Sequence, residues 1–375
     1  MNFSFAAGDV KPPVLACFIT SHGFGHATRT LAVLDALRHL LPEVRYHLFA
    51  RLPRSFLTEN LPAESFELHE TDTDVGLVQN TPFRHDLSTT LARLDAFLPF
   101  ASETLAPLAH RLRESGCDAV LCDVSPLGIA AARAASLPSV LLENFSWDWI
   151  YEDYLAERPA FAPYVEQLGK IYAGVDLRLQ TEPVCHPLRS ARLLPPVVRP
   201  FRLSREETRE RLNLPPDVPL VLLTTGGIPG EFAMKEALFA RPDVRFLLSG
   251  SGPELRHEAN LVHLPHDSGL HHPDLVRASD LVVGKAGYGT VAEVLAARKP
   301  FARILRSRFR ESDVLARFMD ERIPGFSLSS ETFAKGSWLD RLDELLALPA
   351  PTPAVCNGAE QAARLLIPLL RPSAK

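Results

Sequence analysis

Two histidines stand in a glycine-rich stretch near the start of the chain, Thr20–Arg29 (TSHGFGHATR). The stretch joins an apolar run typical of a buried strand, Val14–Thr20, to a pattern of helical spacing, Ala27–Leu40. Glycine lets a backbone approach a ligand closely, and a helix N-terminus favours negative charge. Imidazole accepts a proton near neutral pH. We therefore predict a general base at His22 or His26; the alternative is that each imidazole only caps the helix or binds backbone groups.

The same stretch departs from a dinucleotide-binding fingerprint. It reads G-x-G-x-x-x, with Thr28 where the third small residue should stand. After the second strand-like run, Arg45–Ala50, comes Arg51 in place of the acid that binds a ribose hydroxyl in NAD enzymes. Because Arg51 would suit a 2′-phosphate, an NADP-dependent oxidoreductase stays an alternative.

A second strand, glycine-rich turn and helix follow one another in Leu281–Glu293 (LVVGKAGYGTVAE). Backbone N–H groups at the start of this helix would face a ligand and favour a diphosphate. Lys285 adds a positive charge, and Glu293, one turn into the helix, could accept hydrogen bonds from ribose hydroxyls. The predicted diphosphate contacts are Gly287, Tyr288, Gly289 and Thr290. The spacing is not that of a P-loop, since Ala286 follows the Gly-Lys pair.

A third turn after a strand, Thr224–Gly230, has the same physical character. Thr225, Gly226 and Gly227 are predicted to face phosphate there, although glycine-rich turns end many strands.

Two patterns resemble metal ligands, and we predict no metal site at either. Asp72-Thr73-Asp74 matches the D-x-D with which some glycosyltransferases hold a divalent cation, but so short a match is frequent by chance. A histidine cluster precedes the Leu281 strand, and its last members more plausibly start a helix. Its members are His263, His266, His271 and His272, with Asp267 and Asp274.

Composition narrows the class of protein. A length of 375 residues suggests two domains, and 46% hydrophobic residues exclude a disordered regulator. A net charge of −5 argues against bulk nucleic-acid binding. The five cysteines form no C-x-x-C pair, which indicates reduced thiols in a cytoplasmic protein. The chain has neither a signal-peptide pattern at its N-terminus nor an apolar run long enough to cross a membrane.

The predicted elements divide the chain into two α/β halves. Strand-like and helix-like segments alternate on both sides of a proline-rich stretch, which indicates parallel sheets covered by helices. We predict a Rossmann-like domain over residues 1–182, a linker over 183–200 that contains five prolines, and a second Rossmann-like domain over 201–356. Ligands of such sheets bind beyond the carboxyl ends of the strands.

Long motifs of the chain resemble the glycosyltransferase-like N-terminal domain of plant L-arabinokinases and its stand-alone bacterial relatives. The resemblance is carried by Gly284–Glu293 (GKAGYGTVAE), Lys299–Leu315, Ser21–Thr30 and Glu143–Tyr151 (ENFSWDWIY), and extends from about residue 14 to 325. The kinase half of the plant proteins has no counterpart here, so the resemblance implies no sugar kinase activity.

More distantly, the chain is similar to GT-B glycosyltransferases, among them the peptidoglycan N-acetylglucosaminyltransferase and the plant UDP-glycosyltransferases. That resemblance implies two Rossmann-like domains facing each other across a cleft, with the terminal helix, 357–370, packing back on the first domain. It also implies that His26 is the catalytic base and that Asp123, after another strand, holds it.

The resemblance further implies the donor contacts. The nucleotide motif of GT-B enzymes falls on Lys285, Gly287, Tyr288 and Glu293, with Lys285 in place of a histidine. The residues that grip the donor sugar fall on Glu311 and Ser312, where serine replaces glutamine and leaves the sugar open. The predicted donor-binding residues are Gly25, Thr225, Gly226, Gly227, Lys285, Gly287, Tyr288, Gly289, Thr290, Glu293 and Glu311.

The sequence thus predicts a metal-independent glycosyltransferase that moves a sugar from a nucleotide-diphosphate donor, with UDP favoured, to an acceptor hydroxyl. It needs no cofactor beyond the donor. A UDP-sugar 2-epimerase-like isomerase and a non-catalytic nucleotide-sugar-binding protein are the alternatives. The sequence does not identify the acceptor. Trp147, Trp149 and Tyr151 would either line the acceptor pocket or belong to the core. A lipid acceptor would bring the protein to a membrane surface.

Overall fold

The computed structural model describes residues 11–81, 84–225, 234–265 and 268–371. Two seven-stranded sheets dominate it, and a two-stranded ribbon is attached to the first half. Within these ranges, no helix combines the length and the hydropathy that crossing a bilayer would require.

Within the described residues, the first half contains nine strands and seven α-helices. The strands are β1 (Val14–Ile19), β2 (Arg45–Phe49), β3 (Phe66–His69), β4 (Gln79–Thr81), β5 (Arg84–His85), β6 (Ala119–Asp123), β7 (Ser139–Glu143), β8 (Leu177–Thr181) and β9 (Arg192–Leu194). The helices are α1 (Phe24–Leu40), α2 (Arg54–Thr58), α3 (Leu87–Phe97), α4 (Ser102–Glu114), α5 (Pro126–Ala135), α6 (Trp147–Glu152) and α7 (Ala162–Ala173).

The first sheet is parallel throughout, in the order β3-β2-β1-β6-β7-β8-β9. Every residue of β1, β6 and β7 is buried because helices cover both faces of the sheet. One apolar core lies under α3 to α7, and the other lies under α1 and α2. The strand order reverses between β1 and β6, which opens a crevice at their carboxyl ends.

The second half repeats this plan. Its strands are β10 (Leu220–Thr224), β11 (Arg245–Ser249), β12 (Arg256–Glu258), β13 (Leu261–Leu264), β14 (Leu281–Lys285), β15 (Phe301–Ile304) and β16 (Ser327–Leu328). Its helices are α8 (Arg205–Arg211), α9 (Lys235–Phe239), α10 (His272–Ala278), α11 (Tyr288–Ala297), α12 (Glu311–Arg322), α13 (Ser330–Lys335) and α14 (Leu342–Leu346). The sheet order is β12-β13-β11-β10-β14-β15-β16, and only β12 is antiparallel to its neighbour. Ser204 and Glu207 form the predicted capping box at the start of α8.

The terminal helix α15 (Gly358–Leu370) packs against the first half. Its Ala362, Ala363 and Leu366 are fully buried in the core that also holds α1. The proline-rich stretch 183–200 is more than a connection, since β9 within it adds a strand to the first sheet. The boundaries at 182 and 201 otherwise stay predictions.

The two halves meet where α1 and α11 begin. A Cβ placed on Gly289 would lie 3.0 Å from Thr28 Oγ1 and 3.5 Å from the Cα of Gly25. Glycine at position 289 therefore lets the two helix starts approach each other. The architecture is the one predicted: two Rossmann-like domains whose parallel sheets face each other across a cleft.

Candidate active site

A cavity of about 670 Å³ is lined by both halves of the chain. The first half supplies the turn Thr20–Arg29, which we call the histidine turn, and the wall formed by Val75 and Leu77–Gln79. The second half supplies the turn Lys285–Glu293, which we call the lysine turn, together with Arg306 and Glu311. The volume is within the range of pockets that hold cofactor-sized ligands.

His26 lies in the first turn of α1 and is held by a buried carboxylate. Its Nδ1 is 2.8 Å from Oδ1 of Asp123, the last residue of β6. Because a carboxylate only accepts, this contact places the proton on Nδ1 and leaves Nε2 as the basic nitrogen. The His26 side chain is 12% exposed and Asp123 is fully buried, so only the imidazole reaches the cavity.

Arg29, which sequence reasoning missed, completes this pair. Its Nε and Nη2 donate to the two carboxylate oxygens of Asp123 at 2.9 and 2.6 Å, and Thr30 donates a further hydrogen bond at 2.9 Å. Burial alone would raise the pKa of Asp123, but Arg29 and His26 outweigh it and lower that pKa from its ordinary value. Asp123 is therefore an anion that pairs with the Arg29 guanidinium and accepts a hydrogen bond from the His26 imidazole.

His22, the other candidate base, has different surroundings. Its Nε2 is buried and has no hydrogen-bond partner within the described ranges, and its ring packs edge-on against Trp147 at 5.2 Å. Burial, with Arg306 and His26 nearby, holds the pKa of His22 well below its ordinary value. His22 lines the cavity as a neutral imidazole.

The lysine turn presents backbone and a cation to the cavity. Gly287, Gly289 and Thr290 line it, and Gly287 precedes the first turn of α11. Tyr288 is buried, with its ring beneath the Arg29 guanidinium and its hydroxyl accepting from the Val197 N–H, so its side chain packs the two halves together.

Lys285 ends β14 at the mouth of the crevice. Burial, and then the nearby Arg306, lower the pKa of Lys285 to about 8. The lysine makes no ion pair with the described part of the chain, so its charge is available to an anionic ligand.

Arg306 and Glu311 lie beside this lysine. The Arg306 side chain is 12% exposed, its Nη2 is 3.5 Å from Glu311 Oε2, and its guanidinium stacks on Phe309. The ring of Phe309 holds Arg306 in the cavity wall, so this arginine is not part of a solvated loop.

Glu311 also connects the two halves. Asn144, which follows β7, donates to Glu311 Oε1 at 2.7 Å and accepts from Arg29 at 2.7 Å. A continuous polar chain therefore runs from His26 and Asp123 through Arg29 and Asn144 to Glu311. Ser312 is buried and is not among the residues that line the cavity.

Glu293 already has two side-chain partners. Arg199 donates to Oε1 at 3.0 Å, and His272 Nδ1 lies 2.6 Å from Oε2. Burial would raise the pKa of Glu293, but His272 and Arg199 lower it to about 2. Arg199 and His272 line the same cavity, and both were missed as site residues.

The third predicted turn is only partly described. Thr225 ends the described segment after β10 and is half-buried, whereas Gly226 and Gly227 lie outside the described residues.

The metal-like patterns separate in space. Asp72 pairs with Arg51, the residue considered for a 2′-phosphate, whereas Asp74 accepts from Trp147 Nε1 at 2.6 Å. His263, His271 and His272 bind Glu258, Pro200 and Glu293 respectively, and His266 and Asp267 lie outside the described residues. Trp147 and Tyr151 belong to the core of the first half, and Trp149 packs against Arg310.

Comparison with known proteins places these features in context. No protein-family model matches the chain. It is 30% identical over 364 residues to the L-arabinokinase of Arabidopsis thaliana, an alignment that covers 95% of this chain and 34% of that protein. The chain thus spans about a third of the length of this curated relative.

Solved glycosyltransferase structures superpose over nearly the whole chain. The glycotransferase of kitacinnamycin has a TM-score of 0.61 at 16% identity, covering 96% of this chain and all of that one. A UDP-glucosyltransferase from Polygonum tinctorium gives 0.60 at 13% identity, covering 97% and 94%. MurG of Acinetobacter baumannii gives 0.52 at 14% identity, covering 96% and 100%. The predicted fold is confirmed: the chain is an α/β protein with the GT-B fold of these glycosyltransferases.

Proposed function

We propose that the protein transfers a sugar from a nucleoside-diphosphate donor to a hydroxyl group of an acceptor. One observation carries the proposal. A histidine paired with a buried carboxylate in one half shares a cavity with a lysine and a helix N-terminus of the other half. A base and a diphosphate site opposite each other are what glycosyl transfer to a hydroxyl requires.

The reaction would be a displacement at the anomeric carbon. The acceptor oxygen bonds to that carbon while the bond to the donor phosphate oxygen breaks, and the electron pair leaves with the diphosphate. The acceptor proton goes to Nε2 of His26. Asp123 fixes the tautomer and stabilises the imidazolium that forms. His26 is favoured over His22 as the base because His22 has no carboxylate partner within the described ranges.

Cationic side chains would stabilise the leaving diphosphate without a metal ion. Lys285 and Arg306 both line the cavity from the second half and are close enough to act on each other electrostatically, and the N–H groups at the start of α11 add the positive end of a helix dipole. Metal independence is therefore part of the proposal.

The donor would lie along the lysine turn, with its ribose near Glu293 and its sugar near Glu311. A carboxylate has about four lone-pair sites, so Glu293 can keep Arg199 and His272 and still accept from a ribose hydroxyl. We favour a UDP-linked donor on the resemblance to UDP-glycosyltransferases. The acceptor would lie against the apolar wall that includes Phe24, Phe56 and Leu77.

A cytoplasmic location completes the proposal. It is supported by five cysteines that are all free thiols.

A ligand screen tests the proposal. UDP, UDP-glucose, UDP-GlcNAc and NADPH are each added to the purified protein, and the unfolding temperature is measured, since a ligand that binds the folded state raises it. We expect the uridine nucleotides to raise it and NADPH to leave it unchanged. The protein with UDP-GlcNAc alone should yield no epimer, and with a panel of hydroxyl acceptors should release UDP. A new epimer would indicate an isomerase, and binding without turnover would indicate a sensor.

A further inference from the structure

Three potential metal ligands converge outside the cavity, at the edge of the first sheet. Nδ1 of His47 is 2.9 Å from Nε2 of His69, and the two oxygens of Glu67 lie 3.8 Å from His47 and 3.7 Å from His69. One ligand atom from each residue lies within 4.8 Å of the other two. None of the three lines the cavity described above.

Strand register explains the convergence. His47 on β2 is opposite Glu67 on the neighbouring β3, and His69 is two residues further along β3. Residues two apart on a strand share a face, so Glu67 and His69 point to the side on which His47 stands. His47 and His69 are nearly buried, at 15% and 12% exposure, whereas Glu67 is 61% exposed.

We propose that His47, Glu67 and His69 form a binding site for one zinc ion. Zinc takes imidazole nitrogen at about 2.0–2.1 Å and carboxylate oxygen at about 2.0–2.2 Å in tetrahedral geometry, so ligand atoms lie roughly 3.3 Å apart. The observed separations lie on both sides of that value and need shifts of about half an ångström. The exposed side of Glu67 leaves the fourth position to water.

The ligand atoms of these three residues favour zinc over magnesium and calcium. Two imidazoles and one carboxylate suit zinc and its neighbours among the transition metals, whereas magnesium and calcium prefer oxygen ligands. Arg111 is close enough to both histidines to act on them electrostatically, and it opposes a cation there. Without metal, the two rings would be joined by one hydrogen bond instead.

Zinc at this site would hold an edge strand, β3, against its neighbour. β3 is the outermost strand of the first sheet, and the chain that follows it forms the cavity wall from Val75 to Gln79. Zinc that joins β2 to β3 would hold that strand and stabilise the folded state, because the ligands converge only after folding. The role is structural and independent of the proposed glycosyl transfer.

Zinc titration tests the site. The full-length protein is freed of metal with a chelator, dialysed, and titrated with zinc chloride in a calorimeter, with magnesium chloride in parallel. We expect one zinc per chain, an unfolding temperature raised by zinc, and no response to magnesium. Absence of zinc binding would overturn the proposal.

Matched variants locate the ion. His69→Gln should abolish binding, and Glu67→Gln, at an exposed position that does not threaten folding, should weaken it at least about tenfold. His110→Gln, which removes an exposed histidine beside Glu114, should change nothing. Zinc binding that survives in both His69→Gln and Glu67→Gln, or that is lost in His110→Gln, would contradict the assignment.

Discussion

The histidine turn and the lysine turn share one local geometry and use it in opposite ways. Each follows a buried strand, turns through glycines and starts a helix that faces the cavity. In the histidine turn the ionisable side chains are partnered with one another, because His26 and Arg29 both contact Asp123. In the lysine turn Lys285 makes no ion pair within the described ranges, and its charge faces the cavity. The difference indicates that the first turn is built to hold a side chain in place and the second to receive an anion.

Asp123→Asn should give the largest effect, because it removes the carboxylate with which both His26 and Arg29 pair. It leaves the Arg29 guanidinium, 2% exposed, without an anionic partner. We expect a loss of about 3–5 kcal/mol in the free energy of unfolding, measured by urea denaturation.

Adding Arg29→Met to Asp123→Asn should recover part of that loss, since both buried charges are then gone. Thr30→Val removes a single hydrogen bond to the same carboxylate and should cost about 1 kcal/mol. If Asp123→Asn cost no more than Thr30→Val, the pairing would not be the strong interaction described here.

Lys285→Ala tests whether the lysine turn receives an anion. No ion pair with a described residue is lost, so stability should change little, while UDP binding should weaken by about 1.5–3 kcal/mol, or roughly 10- to 100-fold. Calorimetric titration with UDP measures this. Lys285→Arg, which keeps the charge, is the control and should bind within a few-fold of the unaltered protein.

UDP affinity should fall as the pH rises, because the pKa of Lys285 is lowered to about 8. The lysine is mostly charged at pH 7 and mostly neutral at pH 9, so the dissociation constant for UDP should rise about tenfold between these values. Lys285→Arg stays charged over this range and should show a smaller rise. Equal pH dependence in the two proteins would show that Lys285 is not the titrating group.

The smallest effect is expected where the two turns touch. Gly289→Ala brings a methyl group to 3.0 Å from Thr28 Oγ1, whereas the nearest atom to a methyl group on Gly25 is 3.8 Å away. Gly289→Ala should therefore cost up to about 1 kcal/mol in unfolding free energy, and Gly25→Ala less. Urea denaturation of the two variants compares them, and the reverse order would contradict the contact.

The fold was largely predictable because its strongest signals are local. Apolar runs followed by glycine-rich turns located β1, β10 and β14. β3 and β13 were missed because four residues carry too little periodicity to separate a strand from a loop. The helix start at Phe24 was also missed, since glycine at position 25 conceals the first turn.

Only those parts of the candidate site whose residues are close together in the sequence were predictable. Both turns were found from their own residues, but Arg29, Asn144 and Arg199 act on partners 94, 167 and 94 positions away. No periodicity records such a pairing. One signal for Arg29 was present in the sequence: it lies in the predicted helix directly before Thr30 and the apolar run Leu31–Leu34 (LAVL). An arginine on so buried a surface needs a charged partner.

We propose that the base and the donor site are separate parts of one cavity, and His26→Ala tests this arrangement most directly. UDP binding is measured by calorimetry, and UDP release from the donor sugar is measured with acceptor present, in this variant and in His39→Ala, an exposed histidine of the same helix. We expect a loss of turnover of about 10²-fold or more in His26→Ala, with UDP affinity within twofold of the unaltered protein. Loss of UDP binding together with turnover, or retained turnover, would contradict it.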